Sequence, residues 1–303
     1  MGLSFFRAGP FFRMRYIYNN MASLDASSVS VIIAAYNNFK WLNLCLEGLR
    51  LQNVKGFEII VADDGSNADT VKQLHNYMDT HPQMDIKHVW HEDDGWRKNI
   101  CLNKAVMKSR GEYLLFMDAD CIPAPDWLSD HLKLRRPHTI IAGRRITFAP
   151  YLSKKIESRN TLTANWWHML QWEVLARWYK FPKRSRHGRV FRFPIIGGHG
   201  MLERYSGNLI GCNMGLWRND LLEVNGFDER YLAAGLGEDI DLCVRMQATG
   251  CKVIKIPHQA RMAHRHHQSN IYSSAPHRSD NLALLEENRT NHVTFTPFGI
   301  RKT

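Results

Sequence analysis

Three observations predict an α/β fold with a mostly parallel, doubly wound sheet. β-Branched runs alternate with segments of helical periodicity, the connections are short, and three successive runs end in paired acids. Val29 to Ala35 (Val-Ser-Val-Ile-Ile-Ala-Ala) has the composition of a strand buried on both faces. Leu42, Cys45, Leu46 and Leu49 then recur at helical spacing. A second strand, Phe57 to Ala62, ends at Asp63-Asp64-Gly65-Ser66, and Val71, Leu74 and Met78 mark the next helix. A third strand, about Ile86 to Trp90, leads into Glu92-Asp93-Asp94-Gly95. A helix follows from about Arg97 to Arg110, and Gly111 stops it. Tyr113 to Met117 is the fourth strand, and it delivers Asp118-Ala119-Asp120 into a loop.

In open α/β sheets ligands bind at the carboxyl ends of the strands. Strands two, three and four all end in acids on that one rim, more than solubility requires. A divalent cation with a nucleotide above it accounts for them together. Two carboxylates two residues apart suit Mg²⁺ or Mn²⁺, with substrate phosphates filling the remaining positions. The plainer reading of one such triplet is a solvated turn, and of Asp118 a strand-end cap.

Beyond Pro150 the pattern changes. Residues 151–207 form a Trp-, Lys- and Arg-rich insert in which Trp167, Leu170, Val174 and Trp178 make a helical stripe, followed by Lys183, Arg184, Arg186, Arg189 and Arg192. In residues 208–270, Gly211 to Trp217 reads as a strand, and Gly237-Glu238-Asp239-Ile240-Asp241 opens a short helix capped by Gly250. Lys252 to Ile256 is the last strand, followed by Ala263-His264-Arg265-His266-His267. Residues 271–303 read as a polar, irregular tail. Residues 29–150 form the first half, preceded by a basic, aromatic arm over residues 1–28.

A chain of 303 residues with 44% hydrophobic and 23% charged residues is globular and can bury a sizeable core. Its formal net charge of +11 calls for polyanionic partners. Six scattered cysteines without a CxxC pair read as buried thiols in a reducing compartment. No run of eighteen apolar residues exists to span a membrane. Arg7, Pro10 and Arg13 interrupt any signal-peptide core, and Phe6 stands where myristoylation requires Ser or Thr. The arm therefore reads either as a membrane-interface element or as a leader upstream of a start at Met14 or Met21. A cytoplasmic protein, peripheral on the anionic inner face of the membrane, is the expected location.

Val31-Ile32-Ile33-Ala34-Ala35-Tyr36-Asn37, Asp63-Asp64-Gly65-Ser66, Asn103-Lys104-Ala105 and Asp118-Ala119-Asp120 together resemble the family 2 glycosyltransferases of the GT-A (Rossmann-like) fold. Asn225-Gly226-Phe227-Asp228-Glu229 through Gly237-Glu238-Asp239-Ile240-Asp241-Leu242 resembles the acceptor half of β-1,4-galactosyltransferases and bacterial chondroitin polymerases. The resemblance spans roughly residues 29–267. It implies an inverting, metal-dependent hexosyltransferase that takes a UDP-sugar donor and a glycan or lipid-linked acceptor, in cell-surface polysaccharide or lipopolysaccharide synthesis.

By resemblance, Asp120 is the leading ligand for Mn²⁺ or Mg²⁺, with Asp118 nearer the ribose and the metal's water shell. His264 is the expected third ligand, with His266 and His267 left open; a loop that meets only phosphate or solvent is the plainer reading. Asp64, with Asp63, is expected at the uracil edge, and Ala35, Tyr36 and Asn37 in the base pocket. Asp94, Arg97, Lys104 and Ala119 are placed beside the nucleotide, although Arg97 and Lys104 read equally well as helix-surface charges and Asp94-Gly95 as a turn. Asp239 is the expected general base, against the plainer role of an acid at a helix N-terminus. Glu238 and Asp241 are assigned to sugar hydroxyls, and Trp217 to stacking on an acceptor ring or to the core.

Competing classes fit less well. No helix-turn-helix, zinc-finger or RNA-binding aromatic signature accompanies the charge, so nucleic acid is not an expected partner. A nucleotidyltransferase calls for a Gly-rich basic loop after strand one, where Ala35-Tyr36-Asn37-Asn38 stands. A non-catalytic sugar-nucleotide-binding module would not need both Asp120 and Asp239.

Overall fold

A computed structural model of the chain describes residues 26–148, 150–176, 204–205, 211–233, 237–256, 258–266 and 277–301. Its first half follows the alternation of the sequence. The elements are β1 (Val29–Ala35), α1 (Phe39–Arg50), β2 (Glu58–Asp63), α2 (Ala68–Thr80), β3 (Asp85–Trp90), α3 (Lys98–Lys108) and β4 (Tyr113–Asp118). The chain continues through β5 (Cys121–Pro123), α4 (Trp127–Leu134), β6 (Thr139–Ala142), β7 (Arg144–Thr147), α5 (Pro150–Glu157) and α6 (Trp166–Ala176). The remaining elements are β8 (Arg204–Tyr205), β9 (Asn213–Trp217), α7 (Arg218–Glu223), α8 (Glu238–Ala248), β10 (Lys252–Lys255), β11 (Arg261–His264) and α9 (Arg278–Thr290).

Eight strands form one sheet in the order β3-β2-β1-β4-β9-β6-β10-β8. The four N-terminal strands are parallel, as are β6 and β10. β9 runs antiparallel to both β4 and β6, so the sheet is mixed where the sequence pattern implied parallel strands throughout. Its register pairs Met117 with Asn213 and Tyr113 with Trp217. The segment entering β9 therefore lies at the rim where β4 delivers its acids. A second sheet, β5-β11-β7, lies against α1.

Strand pleating divides β1 between two cores, since successive side chains face opposite ways. Val29, Val31, Ile33 and Ala35 join the layer that includes Leu42, Cys45 and Leu46 of α1. Ile32 joins the other layer with Cys101, Leu102, Ala105 and Val106 of α3 and Leu242, Cys243 and Met246 of α8. A third cluster packs Trp166, Trp167, Leu170 and Val174 of α6 against Trp41 and Leu44. Trp178, the basic cluster at 183–192, the N-terminal arm and His267 lie outside the described residues.

The tail is not irregular. α9 docks on α8, where Asn288 donates to Asp241 at 2.7 Å, and Asn281 binds the backbone of Leu232 and Ala233. Its mean polarity hid a short buried face of Asn281, Leu285 and Asn288. All six cysteines are buried and free. Among the described residues no helix is long and apolar enough to cross a membrane.

Candidate active site

β1 ends on Ala34 and Ala35, and Ala62 is the penultimate residue of β2; these small side chains leave room above the sheet. A cavity of about 260 Å³ opens on Ala34, Ala35 and Ala62, walled by Tyr36 and Trp96 and charged by Asp64, Lys98 and Asp118. That is close to the lower end of small-molecule pockets, roughly 300–1,000 Å³. The Tyr36 hydroxyl donates to Asp93 at 2.9 Å, a bond that raises the tyrosine's pKa. Asn37 and Asn38 both take left-handed backbone conformations, which Asn tolerates better than most residues. This turn is tied to the next acidic loop: Asn37 N donates to Ser66 Oγ at 2.6 Å and Asn67 N to Asn37 Oδ1 at 3.0 Å.

The two acids ending β2 have separate tasks. Asp63 is buried, accepts from Ser66 N at 2.9 Å and meets His88 Nε2 at 3.0 Å, so it shapes the turn and does not line the cavity. Asp64 faces the cavity and is fixed by His91 Nε2 at 2.8 Å and Arg97 N at 3.0 Å. Burial raises its pKa against the pull of those two bonds. Asp94 is exposed and pairs with Arg97 at 3.0 Å beside the cavity mouth. Ala119 extends the sheet, its N–H donating to Ala34 O at 2.9 Å.

Asp118 accepts from Lys98 Nζ at 2.9 Å. Burial works to raise the Asp118 pKa, but the Lys98 charge and hydrogen bond overcome it and hold the carboxyl below the usual range. Asp120 is pushed up to about 6 by burial and by the Asp118 charge, with Arg145 opposing. His264 Nε2 lies 3.4 Å from Asp120 Oδ2 and 3.2 Å from Arg145 Nη1. Since arginine can only donate, that imidazole nitrogen presents its lone pair. Asp120, Cys121 and His264 each place a ligand atom within 4.8 Å of the others. Cys121 Sγ donates to Asp120 Oδ1 at 3.6 Å, as a thiol. With that sulfur protonated, the remaining carboxylate and imidazole, with a second carboxylate nearby, form a donor set that fits Mn²⁺, and Mg²⁺ less closely.

The same rim holds Asp239. It sits in the first turn of α8, and its Oδ2 accepts from Gly211 N at 2.7 Å. A Cβ at position 211 would collide with that carboxylate. Burial raises the Asp239 pKa, Lys98 lowers it and Asp118 raises it again. Lys98 thus links the two halves: its own pKa is raised by Asp118, Asp239 and Glu238 in spite of burial. Lys98 and Arg145 were missed in the sequence. A lysine at a helix N-terminus opposes the helix dipole, and that misfit was the available signal for Lys98.

Besides Asp63, three expected roles are corrected. Asp241 is fully buried and holds Arg245, also fully buried, at 2.8 Å, so it cannot reach a sugar. Trp217 lies at the opposite end of the sheet from the acid rim, edge-on to Tyr113, with its indole N–H bound to Arg136 O at 2.8 Å. Lys104 is exposed, 3.3 Å from His91 Nδ1, and lines a separate groove with Trp90 and Met107. Glu238 is buried at the start of α8 within electrostatic reach of Lys98. His266 is placed by its backbone N–H on Ser153 Oγ. His264, expected in a loop, is a strand residue of β11.

Acids, an imidazole and a lysine around a cavity at the carboxyl rim sit on a fold shared with glycosyltransferases of the GT-A type. Staphylococcus aureus TarS in complex with UDP-GlcNAc superposes with a TM-score of 0.59 at 15% identity, covering 88% of this chain and 66% of that one. GalNAc-T7 with UDP, GalNAc and Mn²⁺ gives 0.59 at 16% identity, covering 93% and 57%. The sequence profile of glycosyl transferase family 2 matches residues 30–197, and that of the N-terminal domain of galactosyltransferase matches residues 201–268. The chain belongs to glycosyl transferase family 2. Chondroitin synthase of Escherichia coli is 28% identical over 241 residues, 75% of this chain and 33% of that protein. Validoxylamine A glucosyltransferase of Streptomyces hygroscopicus subsp. jinggangensis is 25% identical over 270 residues, 81% and 58% respectively. The chain therefore spans less than two thirds of either relative.

Proposed function

We propose that this glycosyltransferase is inverting and divalent-metal-dependent, and that it moves a hexose or N-acetylhexosamine from a UDP-sugar to a glycan or lipid-linked acceptor. The observation that carries this reading is the convergence on Lys98. One lysine donates to Asp118 of the β4 rim at 2.9 Å and lies within electrostatic reach of Glu238 and Asp239 of α8. That proximity supports a donor site and an acceptor-activating acid sharing one reaction space.

In this reading Tyr36 and Trp96 flank the base, and Asp64 meets its edge. Asp120 and His264 would hold the cation, with Asp118 beside the ribose; a cation held there would neutralise charge developing on the departing diphosphate. Lys98 fixes the Asp118 carboxylate and adds positive charge on the same side. Asp239, oriented by Gly211 N, removes the acceptor hydroxyl proton as that oxygen attacks the anomeric carbon from the face opposite the leaving group. A single displacement of this kind inverts the anomeric centre. Glu238 is available to an acceptor hydroxyl.

Polysaccharide synthesis at the inner face of the membrane suits the net positive charge and the aromatic, basic segments at the N-terminus and within 151–207. Binding to anionic vesicles at low salt, with release at high salt, tests the location; no binding at low salt rejects it. The activity itself is tested by incubating the protein with a panel of UDP- and GDP-sugars plus Mn²⁺ and measuring nucleotide release without acceptor. Release from a UDP-hexose that stops in EDTA is expected. Release unaffected by EDTA, or seen with GDP-sugars alone, would overturn it.

A further inference from the structure

A second group of metal-ligating side chains lies at the other rim of the sheet, far from the acids of β4. His138 precedes β6, Cys251 precedes β10, and Asp220 belongs to α7, just after β9. β6 and β10 are parallel neighbours, with Thr139 opposite Lys252, and Lys252 N donates to His138 O at 2.9 Å. The ladder therefore brings His138 and Cys251 side by side. β9 pairs antiparallel with β6, which carries its far end and the following helix to the same place. One imidazole, one carboxylate and one thiol thus each place a ligand atom within 4.8 Å of the others.

The carboxylate is incompletely satisfied. Asp220 is 5% exposed; its Oδ1 meets His138 Nδ1 at 3.0 Å, while its Oδ2 is buried without a hydrogen-bond partner. A buried acceptor left unpaired is destabilising, and a bound cation would satisfy it. His138 is exposed and holds a left-handed backbone conformation, so the group opens to solvent on the imidazole side. Around a tetrahedral Zn²⁺ with bonds of about 2.0–2.3 Å, ligand atoms stand roughly 3.3–3.8 Å apart. The present spacing is within about an ångström of that. Mixed sulfur, nitrogen and oxygen donors select a borderline-soft ion over Mg²⁺ or Ca²⁺.

We infer that His138, Asp220 and Cys251 form a second metal site that binds Zn²⁺ and clamps β6, β10 and α7 together, with water as the fourth ligand. On binding, the Cys251 thiol loses its proton to solvent as sulfur donates an electron pair to the ion, and no redox change occurs. The site is independent of the catalytic reading and acts on stability.

Cobalt substitution tests it, because Co²⁺ bound to a thiolate absorbs in the near ultraviolet where Co²⁺ bound to oxygen and nitrogen alone does not. The rim cluster contains Cys121, so the full-length Cys121→Ser variant is the starting protein, stripped of metal and titrated with Co²⁺ and then Zn²⁺. A saturable thiolate band with one equivalent of Co²⁺, displaced by Zn²⁺, is expected. Adding Cys251→Ser should abolish the band. Adding His138→Asn should weaken Co²⁺ binding tenfold or more, since asparagine keeps the left-handed backbone but is a poor ligand. Zn²⁺ should raise the melting temperature of the starting protein, and this rise should disappear in the His138→Asn variant. Absence of the band in the Cys121→Ser protein, or its survival in the variant also carrying Cys251→Ser, overturns the proposal. A melting temperature that Zn²⁺ raises equally with and without His138 does the same.

Discussion

His264 Nε2 stands 3.4 Å from Asp120 Oδ2 because backbone pairing puts it there. β11 runs antiparallel to β5 with His264 opposite Cys121, and Arg265 N donates to Asp120 O at 3.0 Å. Two residues distant in sequence are thereby held together, His264 on β11 and Asp120 in the two-residue turn that joins β4 to β5, where the Arg265 N–H pins its backbone. Such a pair is preorganised for a cation.

The first prediction concerns that cation. EDTA should abolish transfer, and Mn²⁺ should restore it more fully than Mg²⁺. Asp120→Ala should lower kcat by roughly a hundredfold or more, the usual cost of removing a main charge-stabilising group. His264→Ala should weaken metal-dependent UDP binding in calorimetric titration. Unchanged UDP affinity in both variants would remove the pair from the metal site.

The second separates the base from the donor site. Asp239→Asn keeps shape but cannot take a proton, and loss of a general base typically costs about 10²–10⁴-fold. UDP and Mn²⁺ should bind this variant near-normally while transfer falls by that factor. Transfer at the wild-type rate would place the base elsewhere, with Glu238 next, since Asp241 is occupied by Arg245.

Gly211 supplies a third. Its N–H reaches Asp239 only because no side chain intervenes. Gly211→Ala should push the Asp239 carboxylate aside and lower kcat by about 10²-fold, the scale of an ångström-sized misplacement. Donor hydrolysis without acceptor should change far less. Equal losses in the two assays would show a general collapse of the site.

How much of this was legible beforehand depends on the range of the interactions. β1, β2 and β4 could be read because their runs are local and buried, and Val29–Ala35 matched to the residue, while the half-exposed edge strand β3 was legible from its place between a helical segment and the acids at 92–94. β5, β6, β7, β8 and β11 were missed; they are two to four residues long, too short for a period to show. β9 was found, but its direction was not, since direction is set by pairing with β4 and β6. Asp118, Asp120 and Asp239 were identifiable as candidates from type and motif. Asp241 was misassigned because its partner Arg245, one helical turn away, reads from sequence as a surface pair. Trp217 was misassigned because the antiparallel register of β9 carries it to the far rim.

The Asp241 correction gives a fourth prediction. Arg245 donates to Asp241 at 2.8 Å, to Val224 O at 2.7 Å and to Gly226 O at 3.0 Å, tying α8 to the turn after α7. Removing one partner of a buried pair strands the other charge and costs about 3–5 kcal/mol. Asp241→Ala should therefore lower the melting temperature by roughly 5–15 °C. UDP binding with Mn²⁺, measured well below that temperature, should stay normal. A variant of normal stability that loses sugar affinity would restore the original assignment.

The last prediction is a pH dependence. Burial is the largest influence on Asp239 and raises its pKa, while the Lys98 charge pulls it down and the Asp118 charge pushes it up. A general base must be deprotonated to act, so kcat/KM should fall as the pH drops through this raised pKa, at higher pH than for an unperturbed aspartate. Lys98→Met removes the one downward pull that comes from a nearby lysine and keeps most of the side-chain length. The acid limb should therefore move to higher pH in that variant, in addition to any loss of maximal rate. In Asp239→Asn the residual activity should lack this limb. Profiles of kcat/KM against pH for the three proteins, at saturating Mn²⁺, decide the matter. An acid limb that stays in place when Lys98 is replaced, or that persists without Asp239, would mean that another group carries the proton.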